Sequence, residues 1–80
     1  MEGLEDVISF ILAGIVFYRH DVGHAINWRG IHFKAMTTQP PHIAKRLAEA
    51  ADIMTESGLL ELRGEDHFLT QAGYNRAYGL

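Results

Sequence analysis

The string HDVGH at residues 20–24 places two histidines and an aspartate close together. On a helix, residues four apart share a face, so His20 and His24 would have the spacing of a zinc-ligand pair. The rest of such a site is missing, because Asp21 stands where a general-base glutamate belongs and only His32 offers a third ligand. We therefore expect a polar surface or a helix end at this string, with metal binding by these histidines as the alternative.

No other pattern in the chain indicates catalysis. There is no glycine-rich phosphate loop, and neither Ser9 nor Ser57 lies in a nucleophile motif. The 80 residues include no cysteine, which excludes disulfides and thiolate metal sites and fits a reducing cytoplasm. The longest apolar run, residues 7–18, is broken by Ser9 and is shorter than the roughly 20 residues of a membrane span. We expect a cytoplasmic protein that is not an enzyme, needs no cofactor or metal and does not enter a membrane.

The charged residues are unevenly distributed along the chain. The formal net charge is −3, which argues against indiscriminate coating of nucleic acid. Residues 19–46 nevertheless carry five basic residues against one acidic residue, and they hold four of the five histidines. Residues 47–66 carry six acidic residues against one arginine. The basic block thus ends at Arg46, directly before the acidic one.

A helix is predicted from Pro41 to the residues before Gly58. Thr37 or Thr38 is expected to cap its N-terminus, and proline suits its first turn. Gly58 is expected to end this helix, because glycine readily adopts the left-handed backbone conformation that follows a helix C-terminus. Apolar residues recur at helical spacing at Ile43, Leu47, Ala50 and Met54, with Ala44, Ala48 and Ala51 beside them.

Two short strands, LLELR at 59–63 and HFLT at 67–70, follow this helix and are joined by a hairpin loop at 64–66. Thr70 is expected to cap a last helix, QAGYNRAY, in which Tyr74 and Tyr78 share a face.

Residues 4–18 indicate a helix that is apolar on nearly every side. Such a helix must be buried all round, and a domain of 80 residues hardly wraps one completely. We therefore expect part of it to form a homodimer interface, with a central core helix of a monomer as the alternative. The expected interface residues are Leu4, Val7, Ile8, Ile11 and Ile15.

The segment between these helices is predicted to form a short helix from Asp21 to Arg29 that Gly30 ends. Residues 35–39 would then be the turn before the next helix. The residues expected to fill the core beneath are Ile26, Trp28, Phe33 and Met36.

The stretch ESGLLELRGEDHFLTQAGYNRAY at residues 56–78 resembles the end of winged-helix transcription regulators, particularly the MarR and PadR types. Its most specific piece is the pairing of Ser57-Gly58-Leu59-Leu60 with Leu69-Thr70-Gln71-Ala72-Gly73 across a short hairpin. The resemblance implies a small α+β winged helix-turn-helix domain, mostly helical with a short two-stranded wing. It would span residues 1–80, with the apolar helix at 1–20 and the helix-turn-helix, wing and C-terminal helix at 21–80.

The resemblance also implies a sequence-specific regulator that binds duplex DNA as a homodimer and acts by occupying an operator. Free N–H groups at the start of the Pro41 helix favour phosphate, and arginine pairs bidentately with guanine. The expected contacts are Arg29, Lys34, Thr38, Gln39, His42, Lys45, Arg46 and Arg63. The alternative is a solvated face whose Lys45 and Arg46 pair with Glu49.

A second class of function is favoured by the acidic second half of the chain. The domain would then be a winged helix kept as a protein-binding module, such as a small phage-type inhibitor or a subunit of a nucleic-acid-handling complex. Its partner would bind the acidic surface formed by Glu49, Asp52, Glu56, Glu61, Glu65 and Asp66.

Overall fold

The computed structural model describes residues 4–80, and within this range five helices and one antiparallel pair of strands make an α+β fold. The elements are α1 Leu4–Phe17, α2 Trp28–Thr38, α3 Pro41–Lys45, α4 Leu47–Glu56, β1 Leu60–Arg63, β2 Asp66–Leu69 and α5 Gln71–Tyr78. No helix in the described range has the length and apolar content that crossing a membrane requires. Residues 1–3 of the predicted N-terminal helix lie outside the described range.

Helix α1 lies at the centre of the fold and contacts each of the other four helices. Val7, Ile11 and Ile15 have no solvent exposure. At Gly14 the helix comes close to α2, because a methyl group there would lie 2.9 Å from Cγ1 of Ile31. The apolar character of α1 on every side therefore follows from its central position.

The predicted dimer interface on α1 is corrected by this packing. It consisted of Leu4, Val7, Ile8, Ile11 and Ile15. Ile8 is half-buried against the core, and the other four side chains belong to the core of the chain itself. Because four helices surround α1, one chain covers this stripe without a second subunit. The large apolar side chains that α1 exposes are Val16 and Phe17, at its C-terminal end.

Helix α2 begins later than predicted, so the short helix from Asp21 to Arg29 is wrong. Asn27 caps α2, since its side-chain oxygen accepts a hydrogen bond from the N–H of Gly30 at 3.0 Å. Gly30 lies inside the helix rather than ending it. A methyl group at Gly30 would lie 2.8 Å from Cζ of Tyr18, so this glycine makes room for the aromatic ring.

The later start of α2 changes which of its side chains reach the core. Ile31 and Ala35, four residues apart, are fully buried. Phe33 and Met36, which were predicted to be core residues, are instead 67% and 65% exposed. Trp28 is half-buried, and Ile26 before the helix is buried as predicted.

The predicted helix from Pro41 is interrupted at Arg46, which separates α3 from α4. The N–H of Arg46 reaches the carbonyl oxygen of Ile43 at 3.3 Å, and its ψ of 12° departs from the helical value. The carbonyl oxygen of Arg46 then accepts the N–H of Ala50 at 3.0 Å, as the first hydrogen bond of α4.

The turn between α2 and α3 is also shorter than predicted, because α2 extends through Thr38. Neither threonine caps α3. The Thr37 hydroxyl donates to the carbonyl oxygen of Phe33 at 2.9 Å, and the Thr38 hydroxyl donates to that of Lys34 at 2.6 Å. Pro40 precedes α3 without a side-chain cap.

The hairpin pairs Leu60 with Leu69 and Arg63 with Asp66, so the turn consists of residues 64–65 and is one residue shorter than predicted. The opposite edge of β2 is paired as well. Residues 23–26 pair with this edge. The Ile26 N–H donates to the His67 carbonyl oxygen at 2.8 Å, and the Leu69 N–H donates to the His24 carbonyl oxygen at 2.9 Å. The sequence did not indicate this third, very short strand segment.

Thr70 caps α5 as predicted, and its hydroxyl joins three parts of the chain. It accepts the N–H of Gly73 at 3.0 Å and lies 2.6 and 2.9 Å from the carbonyl oxygens of Gly58 and Leu59, to which it donates. A methyl group at Gly73 would collide with the Leu59 carbonyl oxygen. The Leu-Thr-x-x-Gly pattern therefore docks α5 closely against the start of the hairpin.

Candidate partner-binding groove

The residues predicted to contact DNA lie along the whole of α2, on the α2–α3 turn, in and directly after α3, and on the hairpin. Six of them are exposed: Arg29, Thr38, Gln39, His42, Lys45 and Arg63. Lys34 and Arg46 are partly buried. Several of these side chains are already engaged within the chain.

Arg46 forms a two-pronged contact with Glu49, one turn further on. Its Nε and a terminal nitrogen lie 3.0 and 3.2 Å from the two carboxylate oxygens. This hydrogen bonding holds the pKa of the Glu49 carboxyl below its ordinary value and raises the pKa of the Arg46 guanidinium. The alternative expected from the sequence, pairing with Glu49, is thus confirmed for Arg46.

Lys34 and Arg63 each lie over an aromatic ring. Lys34 Nζ is 4.3 Å from the centre of the Phe17 ring, and the Arg63 guanidinium carbon is 4.0 Å from that of Phe68. Arg63 also lies 3.7 Å from a Glu61 oxygen. Both cations are therefore oriented by neighbours inside the chain, although the Arg63 side chain stays exposed.

The surface beside the α2–α3 turn contains an acidic residue. Asp6 of α1 and His42 of α3 line the same depression, together with Gln39 and Pro40. A carboxylate at this position opposes binding of a phosphate group near the start of α3.

A groove runs between α2 on one side and α3 and α4 on the other. It consists of two adjoining cavities of about 410 and 310 Å³ that share His32. The first is lined by His32, Met36, Gln39, Pro41, Ala44 and Lys45. The second is lined by Trp28, His32, Leu47, Ala48, Ala51, Asp52 and His67. We call these two cavities together the α2–α4 groove.

The floor and walls of the α2–α4 groove are mostly apolar. Ala44 of α3 and Ala48 and Ala51 of α4 line the α3–α4 side, so the wall there has short side chains. On the α2 side the groove is lined by Trp28, His32 and the exposed Met36. A surface of this kind is typical of a protein contact, since aromatic side chains and methionine are enriched there.

The Trp28 end of the groove is held by a side-chain hydrogen bond. The Trp28 indole N–H donates to Nδ1 of His67 at 3.1 Å, and the two rings meet edge to face at 5.4 Å. This contact joins α2 to β2 and positions both rings beside Asp52 and Ala51. The groove wall is therefore preformed at this end.

The string HDVGH does not bring two imidazoles to one helical face. His20 is 6% exposed and bridges the chain: its Nε2 accepts the N–H of Asn27 at 3.0 Å, and its Nδ1 lies 3.2 Å from the Ile15 carbonyl oxygen. Nδ1 of His24 accepts the N–H of Asp21. Within residues 4–80 no group of three histidine or acidic side chains could hold a metal ion. His20 thus has a structural role at a helix end.

The groove was not predicted from the sequence, although one signal for it was visible. Ala44, Ala48 and Ala51 were interpreted together as part of a core face, but only Ala51 is buried; Ala44 is half-buried and Ala48 is exposed. Alanines that continue past the buried stripe of a helix indicate a shallow apolar surface.

Comparison of the chain with protein-family models, with curated proteins and with solved structures found no match.

Proposed function

We propose that this chain is a small winged-helix domain that acts as a protein-binding module through the α2–α4 groove. The order of elements supports the winged helix: α1, a short strand segment at residues 23–26, α2, the turn, α3–α4, the hairpin and α5. The hairpin takes the place of the wing.

The observation that carries the protein-binding proposal is the apolar lining of the groove on α3–α4. In a winged helix this element is the one that would enter DNA, yet Ala44 and Ala48 line its groove side. The exposed polar residues of α4, Glu49, Asp52 and Glu56, are all acidic and would repel phosphate. Short apolar side chains beside the exposed Met36 instead fit the side chains of a partner helix.

The proposal is tested by selecting helical peptides from a displayed library on the immobilised protein. Ala48 is exposed within the groove, so Ala48→Arg fills it without disturbing the core. Selected peptides are expected to lose at least tenfold in affinity for Ala48→Arg. The matched control is Ala72→Arg, at an exposed position of α5, which should bind them like the unaltered protein. Selection of no peptide, or of peptides indifferent to Ala48→Arg, would overturn the proposal.

The second candidate is the duplex-DNA-binding regulator, and it is favoured by one observation. Gln39, His42 and Lys45 are exposed on or beside the α2–α3 turn. A labelled random-sequence duplex titrated at low and near-physiological salt tests this candidate, because contacts to phosphate weaken as salt rises. Binding that falls with salt and is lost in Lys45→Ala/Arg46→Ala would support DNA binding. Absence of binding at low salt would exclude it.

A further inference from the structure

The first residues of α2 are held by two histidine rings, each of which accepts a hydrogen bond. The backbone N–H of Asn27 donates to Nε2 of His20 at 3.0 Å, and the indole N–H of Trp28 donates to Nδ1 of His67 at 3.1 Å. The donors are consecutive in sequence, whereas His20 follows α1 and His67 lies on β2. These two rings, which we call the α2 histidine pair, therefore attach the start of α2 to two other parts of the fold.

The partners of each ring fix its protonation state. A backbone amide and an indole nitrogen can only donate, so the ring nitrogen that faces each of them carries no proton. Nδ1 of His20 lies 3.2 Å from the Ile15 carbonyl oxygen, which can only accept, so Nδ1 carries the proton of that ring. Both hydrogen bonds to α2 therefore require neutral histidines.

A proton added to either acceptor nitrogen would break its hydrogen bond, because two N–H groups would then face each other. The loss is costly where water has little access, and His20 is buried while His67 and Trp28 are half-buried. Histidine is the side chain whose charge ordinarily changes between pH 5 and 8. The two hydrogen bonds that hold the start of α2 are therefore both sensitive to mild acid, and in the same direction.

The charged groups around His20 offer no partner to a positive ring. Arg19 and Asp21 flank it in sequence, and the N–H of Asp21 donates to His24. The hydroxyl of Tyr78 on α5 donates to the backbone carbonyl oxygen of His20 rather than to its ring. Within residues 4–80 the ring pairs with no carboxylate. A positive charge on His20 is therefore not compensated in the folded chain.

The surroundings of His67 favour release of Trp28 once the ring is charged. Asp52 of α4 and His32 of α2 line the same cavity as His67 and Trp28, and Asp66 precedes His67 on β2. A positive His67 ring is attracted by the Asp52 carboxylate and repelled by a positive His32. Protonation therefore removes the acceptor for Trp28 and favours a position of the ring nearer to α4.

We infer that the α2 histidine pair is a pH-sensitive contact that holds the Trp28 end of the α2–α4 groove in place at neutral pH and releases it in acid. While both rings are neutral, the two hydrogen bonds contribute their full stabilisation to this end of α2. As the pH falls through the range in which histidine gains a proton, the equilibrium between held and released α2 shifts by up to about tenfold for each ring and pH unit. Control of partner binding rests on the proposed protein-binding function, whereas the histidine pair itself does not.

Trp28 is the single tryptophan of the chain, so its fluorescence reports on this contact directly. Its emission spectrum and its quenching by acrylamide are measured on the full chain from pH 8 to 5, with circular dichroism at each point. The unaltered protein is expected to shift its emission to longer wavelength and to be quenched more strongly in acid, while its helix content stays constant. Unchanged emission would overturn the inference, and so would a shift that coincides with loss of the helices.

Two substitutions keep a hydrogen-bond acceptor but remove the titration. Asparagine places its side-chain oxygen where histidine has Nδ1, and glutamine reaches the position of Nε2. His20→Gln/His67→Asn should therefore show constant emission over the same pH range. The matched control is His32→Gln, at an exposed position in the same cavity, which should respond like the unaltered protein. A response that persists in the double variant, or that is lost in His32→Gln, would assign it to other residues and overturn the inference.

The ring nitrogens of the unaltered protein provide a test that stands even if His20→Gln fails to fold. NMR correlation of the ring nitrogens with the carbon-bound ring protons shows which nitrogen carries the proton. At pH 8 we expect the proton on Nδ1 of His20 and on Nε2 of His67, which are opposite tautomers. The same tautomer in both rings would contradict the histidine pair.

Control of the groove is tested with histidine-free peptides that have been selected on it at neutral pH. Their affinity for the unaltered protein should fall by about tenfold or more between pH 7.5 and 5.5, and by less than about twofold for His20→Gln/His67→Asn. Equal affinity at both pH values would overturn this control. If no peptide is selected, the proposed function fails, while the fluorescence and ring-nitrogen measurements still decide whether the histidine pair responds to pH.

Discussion

At the scale of single residues, the neighbours of a charged side chain decide what it is available to bind. Arg46 stands in the basic block of the sequence, but its guanidinium is already paired with both oxygens of Glu49. Lys45, the residue before it, is exposed and lines the groove. Two adjacent cations therefore have different surroundings.

Arg46→Ala should raise the pKa of Glu49 toward its ordinary value, because the hydrogen bond that lowers it is removed. Since the folded-state pKa of Glu49 is lowered, the pair contributes stability above the pKa of an unfolded glutamate, about 4.3. That contribution is lost as the pH falls through the folded-state value. An NMR titration of the Glu49 carboxyl measures the change. Arg63→Ala is the control and should leave Glu49 unaffected; an unchanged Glu49 in Arg46→Ala would contradict the pairing.

At the scale of elements, close backbone approach fixes the position of α5. Thr70 connects the start of α5 to the carbonyl groups of residues 58 and 59, and Gly73 allows that approach because it has no side chain. Tyr74 and Tyr78 then share a face as predicted, with ring centres 4.5 Å apart. The Tyr78 hydroxyl donates to the His20 carbonyl oxygen at 2.9 Å, which joins α5 to the end of α1.

Gly73→Ala should lower the free energy of unfolding by about 2 kcal/mol or more, since the added methyl group meets the Leu59 backbone and the Leu69 side chain. The sign of this change in stability is informative, because helix propensity alone would make the alanine variant more stable by about 1 kcal/mol. Urea unfolding measures the difference. Gln71→Ala, at an exposed position of the same helix, should change stability by no more than about 0.5 kcal/mol. A stabilised Gly73→Ala variant would show that α5 does not approach so closely.

At the scale of the whole molecule, α1 is the element around which the other helices pack. Its apolar stripe is buried within one chain, and the α2–α4 groove is lined by residues of other elements. A partner that bound the groove would therefore contact residues other than those of the α1 stripe.

Ile11→Ala should cost about 2–5 kcal/mol of stability, because it removes a fully buried side chain from the centre of the core. Unfolding followed by circular dichroism measures the loss. Ala13→Ser, at an exposed position of the same helix, should change stability by about 0.5 kcal/mol or less. If Ile11→Ala instead weakened self-association while stability stayed near that of Ala13→Ser, the α1 stripe would be an interface after all.

Local patterns in the sequence determined the elements whose signals lie within a few residues. The apolar spacing of α1, the turn residue Gly64, the cap Thr70 and the shared face of Tyr74 and Tyr78 each depend on neighbours along the chain. For this reason α1, the hairpin and α5 were predicted nearly as they occur.

Tertiary structure decided the features that depend on residues far apart in sequence. The local sequence predicts that Gly30 ends a helix, yet Gly30 lies inside α2, where Tyr18 packs against it. Met36 reads as core, yet it is exposed because Ile31 and Ala35 occupy the side of α2 that faces the core. The groove exists only where α2 lies beside α3 and α4. Nothing local in the sequence indicates that Met36 and Lys45 line one end of it, or that Trp28 and Asp52 line the other. Burial and surface charge depend on which helices meet, and only the folded chain determines that.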